Sequence, residues 1–299
     1  MDQPGTFKRT EEEFFSSGVR CAAWLYCPDG IDNPPIIIMA HGFAGERSFG
    51  LPDFAERFVA EGWAVYIFDY RCFGDSDGTP RNDVNPYKHS DDWDAAITSV
   101  RNLTGIDASK IVLWGTSFSG GHVTCAATRH ADIAAIIAQV PYPGMPADAP
   151  KPPIGDALIL LWHVLLDHVK TAVTGSPHYI PALAKPGSFA VMNTEESWDG
   201  YMALVPEDKS FANQVPAKIL SMMASYNPTA VADQVQCPAL VIAGEEDSLV
   251  AADDISAMAK KMPQGIFKRL DCNHFAPYKG EMFEKNIAMQ IEFLKQILN

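Results

Sequence analysis

With 299 residues, 47% of them hydrophobic, the chain has the material for one large core, or for a core domain carrying a sizeable insertion. Its formal net charge of −14 repels a phosphate backbone and its lysines and arginines form no basic block, so nucleic acid is excluded as an expected partner. The polar start, Met1 to Thr10, has no signal-peptide core, and no later apolar run reaches the roughly 18 residues of a membrane span; a soluble, cytoplasmic protein without a membrane partner is expected.

In chain order, "KRTEEEFF" and "VRCAAWLYC" read as two strands joined by the turn "SSG", an antiparallel opening pair. The rhythm then changes. "PPIIIMA" (34–40) is short, β-branched and apolar throughout, as a strand covered on both faces of a parallel sheet must be. "LPDFAERFVAEG" has helical spacing and stops at Gly62, and "WAVYIFDY" (63–70) is another buried strand. A helix over "DDWDAAITSVRNL", a strand over "KIVLWG", a helix starting near Ser119 and a strand over "IAAIIAQV" continue the alternation. Such alternation calls for right-handed crossovers and an α/β architecture, a mainly parallel central sheet with helices on both faces.

From Pro141 to about Val235 the alternation stops. Several prolines, the helical stretches "GDALILLWHVLLDHVK" and "NQVPAKILSMMASY", and many aromatic and Met residues read there as an inserted helical cap. Alternation returns with "CPALVIAG", "AADDISAMAKKM", "GIFKRLDC" and a last helix over "GEMFEKNIAMQIEFLKQIL". Residues 1–140 and 236–299 are therefore assigned to a core domain and 141–235 to the cap. The six cysteines include no CxxC pair and lie mostly in apolar segments, so they are expected to be buried thiols and not a disulfide framework.

The stretch "LWGTSFSGGH" (113–122) holds two serines. A nucleophile at a sharp strand-to-helix turn needs small residues two positions before and after it, because the turn brings those backbones almost into contact. Ser117 meets this with Gly115 and Ser119. Ser119 meets a relaxed form with Ser117 and Gly121, but it lies four residues beyond the strand, so the spacing favours Ser117. A glycine-rich turn that binds nothing would explain the glycines alone. The other parts of an acyl-transfer site nevertheless follow in order: Asp247 in "GEEDSLV" after one late strand and His274 in "CNHFAPY" after the next. In "MAHGFAG", after the first parallel strand, the N–H of Phe43 can face the same point as that of Phe118, giving two oxyanion donors.

On the motifs "HGFAG", "DYRCFGDSDG", "GTSFSGG", "GEEDSLV" and "CNHFAPY" the chain resembles the α/β-hydrolase superfamily over nearly its whole length. The segments "PHYIPALAKPGSFAVM" and "YNPTAVADQVQCPALVIAG" are similar to a subgroup of bacterial and fungal hydrolases, related to X-Pro peptidases and dienelactone hydrolases, that includes fungal polyketide transferases. The resemblance implies an α/β-hydrolase fold and keeps acyl transfer open beside hydrolysis. Two positions depart from it: Ser119 stands where relatives usually have Gly, and Ala276 where related sequences often have Asp after "HF".

Glu245, Glu246, Asp253, Asp254 and Asp148 compete for the acid, but two turn residues after "AG" carry Asp247 over the sheet edge towards the histidine. His163, His168 and His178 fall in the cap; His163 and His168, five apart and without a carboxylate or Cys cluster, form no metal site, and no cofactor is expected. Asp69 and Arg71 read as fixing their loop, and Cys272 as an inert thiol. Tyr142, Trp162, Met192 and Tyr201 are the candidate substrate contacts, among large cap residues that also include Tyr179, Phe189, Met222 and Met223. The expectation is a serine hydrolase or acyltransferase acting on an ester or thioester with a bulky apolar, polyketide-like acyl or alcohol part. An acyl carrier and a second copy of the chain are the further candidate partners. An amide or carbon–carbon bond hydrolase with the same triad, and a non-catalytic binding protein on the same fold, are the alternatives; an epoxide hydrolase or dehalogenase would need a carboxylate where Ser117 stands.

Overall fold

In the computed structural model, which describes residues 6–146 and 152–298, the opening pair is a hairpin of β1 (Phe7–Ser16) and β2 (Val19–Pro28). It turns at Ser17 and Gly18, both at positive φ (48° and 79°), the two-residue geometry that matches the twist of the flanking strands. The alternating section runs β3 (Pro35–Ala40), α1 (Leu51–Ala60), β4 (Ala64–Phe68), α2 (Pro86–Arg101), β5 (Asp107–Thr116), α3 (Phe118–Ala127) and β6 (Ala135–Gln139). Helix α2 begins earlier than "DDWDAAITSVRNL" implies, because Asn85 accepts the N–H groups of Tyr87 and Lys88 and Pro86 takes the first helical position.

Between β6 and the next sheet strand the chain forms α4 (Ile154–Thr174), β7 (Tyr179–Ile180), α5 (Ser197–Met202), β8 (Val215–Pro216) and α6 (Ile219–Ser225), followed by a 3-10 turn over Pro228–Gln234. The expected helix over "NQVPAKILSMMASY" is thus cut to α6. Pro216 cannot continue a helix, and with Val215 it pairs against Tyr179–Ile180. A second correction concerns α4: it has 21 residues, its most apolar 18 have a mean hydropathy of 1.3, and by length and composition it is enough to cross a membrane, contrary to the reading that no run reaches that length. Asp167 and Lys170 interrupt the run without lowering its average enough.

The chain closes with β9 (Ala239–Gly244), α7 (Ala252–Lys261), β10 (Gly265–Leu270) and α8 (Gly280–Leu298). The eight-stranded sheet has the order β1-β2-β4-β3-β5-β6-β9-β10, parallel from β4 to β10, with β2 antiparallel to β4. β4, β6 and β9 are buried at every residue, as runs that are apolar but for Gln139 at the end of β6 require. Strand order reverses on either side of β3, so the loops after β3 and β5 open at a switch point, the place where α/β sheets bind ligands.

Beneath that edge lies a polar core. His41, His89 and His122, all at most 3% exposed, surround Tyr70, which stacks on His89 at 4.0 Å and meets His41 at 4.8 Å and His122 at 5.8 Å. His122 Nδ1 meets the Tyr226 hydroxyl at 2.7 Å, whereas neither ring nitrogen of His89 has a hydrogen-bond partner among the described residues. Burial above all holds the three rings neutral: it lowers His41, lowers His89 further with its histidine neighbours adding to the effect, and pushes His122 down to about 3.

Such groups bind protons in the unfolded chain below about pH 6.5 but not in the folded one, so folding stability is complete above that pH and is lost as pH falls. Urea unfolding should therefore show a loss of about 3–4 kcal/mol between pH 7.5 and 5.5. His89→Phe should remove about one third of that slope; a slope unchanged in this variant would mean that other groups set the acid limit.

Candidate active site

Ser117 links β5 to α3 with φ 54° and ψ −121°, a strained backbone costing on the order of 1–3 kcal/mol. Its N–H donates to the Gln139 carbonyl on β6, and its own carbonyl accepts from Gly120 and Tyr142, each at 2.9 Å. The turn closes only because its neighbours are small. A Cβ on Gly115 would lie 2.2 Å from the Ser119 carbonyl oxygen, and one on Gly120 would lie 2.6 Å from Pro141 Cβ.

The elbow aims Ser117 Oγ at His274, whose Nε2 is 3.0 Å away; His274 Nδ1 is 2.6 Å from Asp247 Oδ2. The His274 and Asp247 side chains are 2% and 0% exposed. A carboxylate against Nδ1 keeps the proton on that nitrogen and leaves the Nε2 lone pair facing the serine. Asp247 is itself held by the N–H groups of Leu249 (2.8 Å) and Val250 (2.9 Å). The two serines have separate fates, because Ser119 is fully buried with its Oγ 2.7 Å from the Tyr70 hydroxyl.

The rival acids and bases stand elsewhere. Glu245 and Asp253 pair with Arg269, His163 Nδ1 meets His178 Nε2 at 2.9 Å, and His168 is exposed; Asp148 lies outside the described residues. Among the described residues no group of three or more His, Cys, Asp or Glu side chains is placed to hold a metal ion. Asp69 and Arg71 are internal ties: Asp69 accepts the Arg47 guanidinium at 2.5 Å, and Arg71 pairs with buried Asp92 at 2.6 Å. All six cysteines are free, and burial, followed by the charge of Asp247, pushes the Cys272 thiol up to about 11.

Phe118 opens α3, so its N–H has no acceptor within the helix. The Gly42–Phe43 turn lies against Ser117, since a Cβ on Gly42 would be 3.0 Å from Ser117 Cβ. Edge-to-face packing of the Phe43 and Phe118 rings at 5.7 Å ties the two backbones together, and the Tyr201 hydroxyl donates to the Phe43 carbonyl at 3.0 Å.

Two pockets meet at Ser117 and share Phe43, Met192 and His274. The inner one is walled by Phe49, Tyr201, Leu204, Phe275 and Tyr278. The outer, roomier one is walled by Tyr142, Met145, Met223, Leu249 and Val250. Tyr142, Met192 and Tyr201 therefore border the cleft as expected. Trp162 does not: it lies on α4, 60% exposed and outside both pockets, because the opposite side of that helix faces the protein. Phe189, likewise, stacks on His163.

One residue escaped the sequence reading. Glu196, at the start of α5, accepts the Ser248 N–H (2.7 Å) and hydroxyl through Oε1 and the His274 N–H (2.8 Å) through Oε2. A single carboxylate from the insertion thus joins the loop after β9 to the loop after β10. Its sequence context, "NTEESW", holds no motif that would single it out.

The family model described as "Serine aminopeptidase, S33" matches residues 32–274. The chain is 38% identical over 287 residues to the quorum-quenching protein AidA of Acinetobacter baumannii, covering 96% of this chain and 94% of that one. It is 27% identical to the polyketide transferase af380 of Aspergillus fumigatus, covering 94% and 96% respectively. In fold it is similar to the α/β hydrolase GrgF of a Penicillium species, with a TM-score of 0.84 at 23% identity over 97% of this chain and 99% of that one. The chain belongs to the serine aminopeptidase S33 family of α/β-hydrolase-fold enzymes.

Proposed function

We propose that the protein is a serine hydrolase or acyltransferase for esters or thioesters with a bulky apolar acyl part, and that Ser117, His274 and Asp247 are its catalytic triad. The observation that carries this reading is the unbroken hydrogen-bond chain from Ser117 Oγ through His274 to Asp247, ending in an apolar cleft. His274 Nε2 takes the Ser117 proton as Oγ attacks the carbonyl carbon, and the imidazolium is stabilised by Asp247. The N–H groups of Phe43 and Phe118 hold the oxyanion, each donor contributing about 3–4 kcal/mol to the barrier reduction. His274 then gives the proton to the leaving alkoxide or thiolate. Water or an alcohol attacks the acyl-enzyme with His274 as base.

The cleft favours an apolar substrate. Among the described residues its walls contain no Asp, Glu, Lys or Arg, so neither the ammonium of a peptide N-terminus nor a carboxylate would find a charged partner there. The outer pocket, the roomier of the two, suits the bulky acyl part, and the inner one a compact leaving group or acceptor. A relative named a polyketide transferase supports keeping acceptors other than water within the proposal.

Intact-mass and peptide mass spectrometry after fluorophosphonate treatment should find one adduct, on Ser117. Ser117→Ala should abolish it and lower kcat on a matched ester and thioester by at least about 10⁴-fold, while Ser119→Ala should still be labelled. Labelling at Ser119, or none, would overturn the assignment. Glu196 acts as a positioning residue for His274. Glu196→Ala should lower kcat by about 10- to 100-fold with KM within about two-fold, because the binding walls stay intact while the base is displaced. Glu196→Gln, which keeps only one accepting oxygen, should fall between the two; a change confined to KM would assign Glu196 to binding.

A further inference from the structure

Helix α4 carries an apolar stripe that none of the described residues covers. Ile154, Leu158, Leu161, Leu165, Val169 and Val173 are 51–82% exposed, and Trp162 lies beside them. At 3.6 residues per turn they form one band about 120° wide and about 28 Å long. The three charged residues of the helix, Asp156, Asp167 and Lys170, all project from the opposite side.

The helix cannot roll to hide this band. Buried Asp167 accepts the backbone N–H of His178 at 2.7 Å and of Lys218 at 2.8 Å, and His163 stacks between His178 and Phe189. The body of the protein therefore holds α4 by its polar side and presents the apolar side outward. Packing α4 against α6, whose Met223 lines the outer pocket, connects this helix to the cleft walls.

We propose that the stripe is the interface of a homodimer in which α4 packs antiparallel against α4 of a second copy. A two-fold axis between Trp162 and Leu165 would set Leu158 against Val169 of the partner and Ile154 against Val173 of the partner. The area fits this occupant. At about 150 Å² or more for each fully exposed large side chain, the exposures of these seven residues leave roughly 700 Å² of apolar surface. That approaches one whole side of a standard interface, about 800 Å², and exceeds the roughly 300–600 Å² of the largest apolar patch on a typical monomer.

A membrane surface fits less well. Helices that lie on bilayers carry lysines and arginines around the apolar face, whereas α4 has only Lys170 and the chain has a net charge of −14. Crossing a bilayer would break the hydrogen bonds of Asp167 in the middle of the helix.

The test is the mass in solution and does not depend on the proposed reaction. Sedimentation velocity and light scattering on the full chain at micromolar concentration should give twice 32.7 kDa. Leu158→Glu with Leu165→Glu should give the monomer mass, weakening association at least 100-fold, with circular dichroism and melting of the monomer unchanged because both residues are exposed. Ile154→Glu with Val173→Glu, at the ends of the stripe, provides the same readout should the first pair fold poorly. A wild-type monomer, or a dimer indifferent to both pairs, would overturn the proposal. So would a monomer that co-sediments with phosphatidylcholine vesicles, which would assign the stripe to a bilayer.

Discussion

The site depends on one tight approach of backbones, that of α3 against the ends of β5 and β6. Ser117 is held at φ 54° because its N–H is bound to Gln139 and its carbonyl to Tyr142, so strand pairing on β6 stabilises a conformation that the serine alone would not keep. Gly115, Gly120 and Gly121 are required for the same reason: added Cβ atoms would meet the Ser119 carbonyl, Pro141 and the Tyr142 carbonyl, each at 2.6 Å or less. The serine is thereby raised above the sheet edge, where loops from β3, β9 and β10 converge on it. The rest of the site is reached from this turn.

What lies under the turn is unusually polar for a core. Tyr70 joins Ser119 to Trp93 by hydrogen bonds of 2.7 and 2.8 Å and stands among three buried histidines. On the other side, Gln139 links Thr116, Asn286 and Gln290, and Gln290 accepts Trp114 Nε1 at 2.7 Å, which connects β5, β6 and α8. The paired network around Gln139 favours one arrangement over its neighbours, because a shifted strand would leave several of its polar atoms unpaired. Rigidity at the elbow follows from polar pairing as much as from apolar packing.

The sheet was legible in the sequence because its signals are local: β3, β4, β6 and β9 are apolar runs but for Gln139 at the end of β6, and Ser117, Asp247 and His274 each follow a strand at a countable distance. In the insertion α4 was legible from its spacing, but the arrangement of the segment was not, because its order comes from contacts between residues far apart in the chain. Asp167 fixes α4 by accepting from His178 and Lys218, Asn213 bridges to Leu183, and Tyr142 donates to the Met223 carbonyl. No periodicity encodes such pairs. Trp162 was misread for that reason, since its spacing shows that it shares a helix face with Leu158 and Leu165 but not which face meets the protein.

The same contacts imply that the insertion is more than a cover. Glu196 reaches from α5 to the backbone of both Ser248 and His274, and Tyr201 reaches from the same helix to the carbonyl of Phe43. One short helix therefore bears on the loops after β9, β10 and β3 together. Displacing α5 would release the backbones of Ser248 and His274 and the carbonyl of Phe43 in the same step, which couples the insertion to the geometry around Ser117. On the proposed mechanism, that coupling protects the acyl-enzyme: when the insertion is displaced and water enters freely, His274 is no longer placed to activate it.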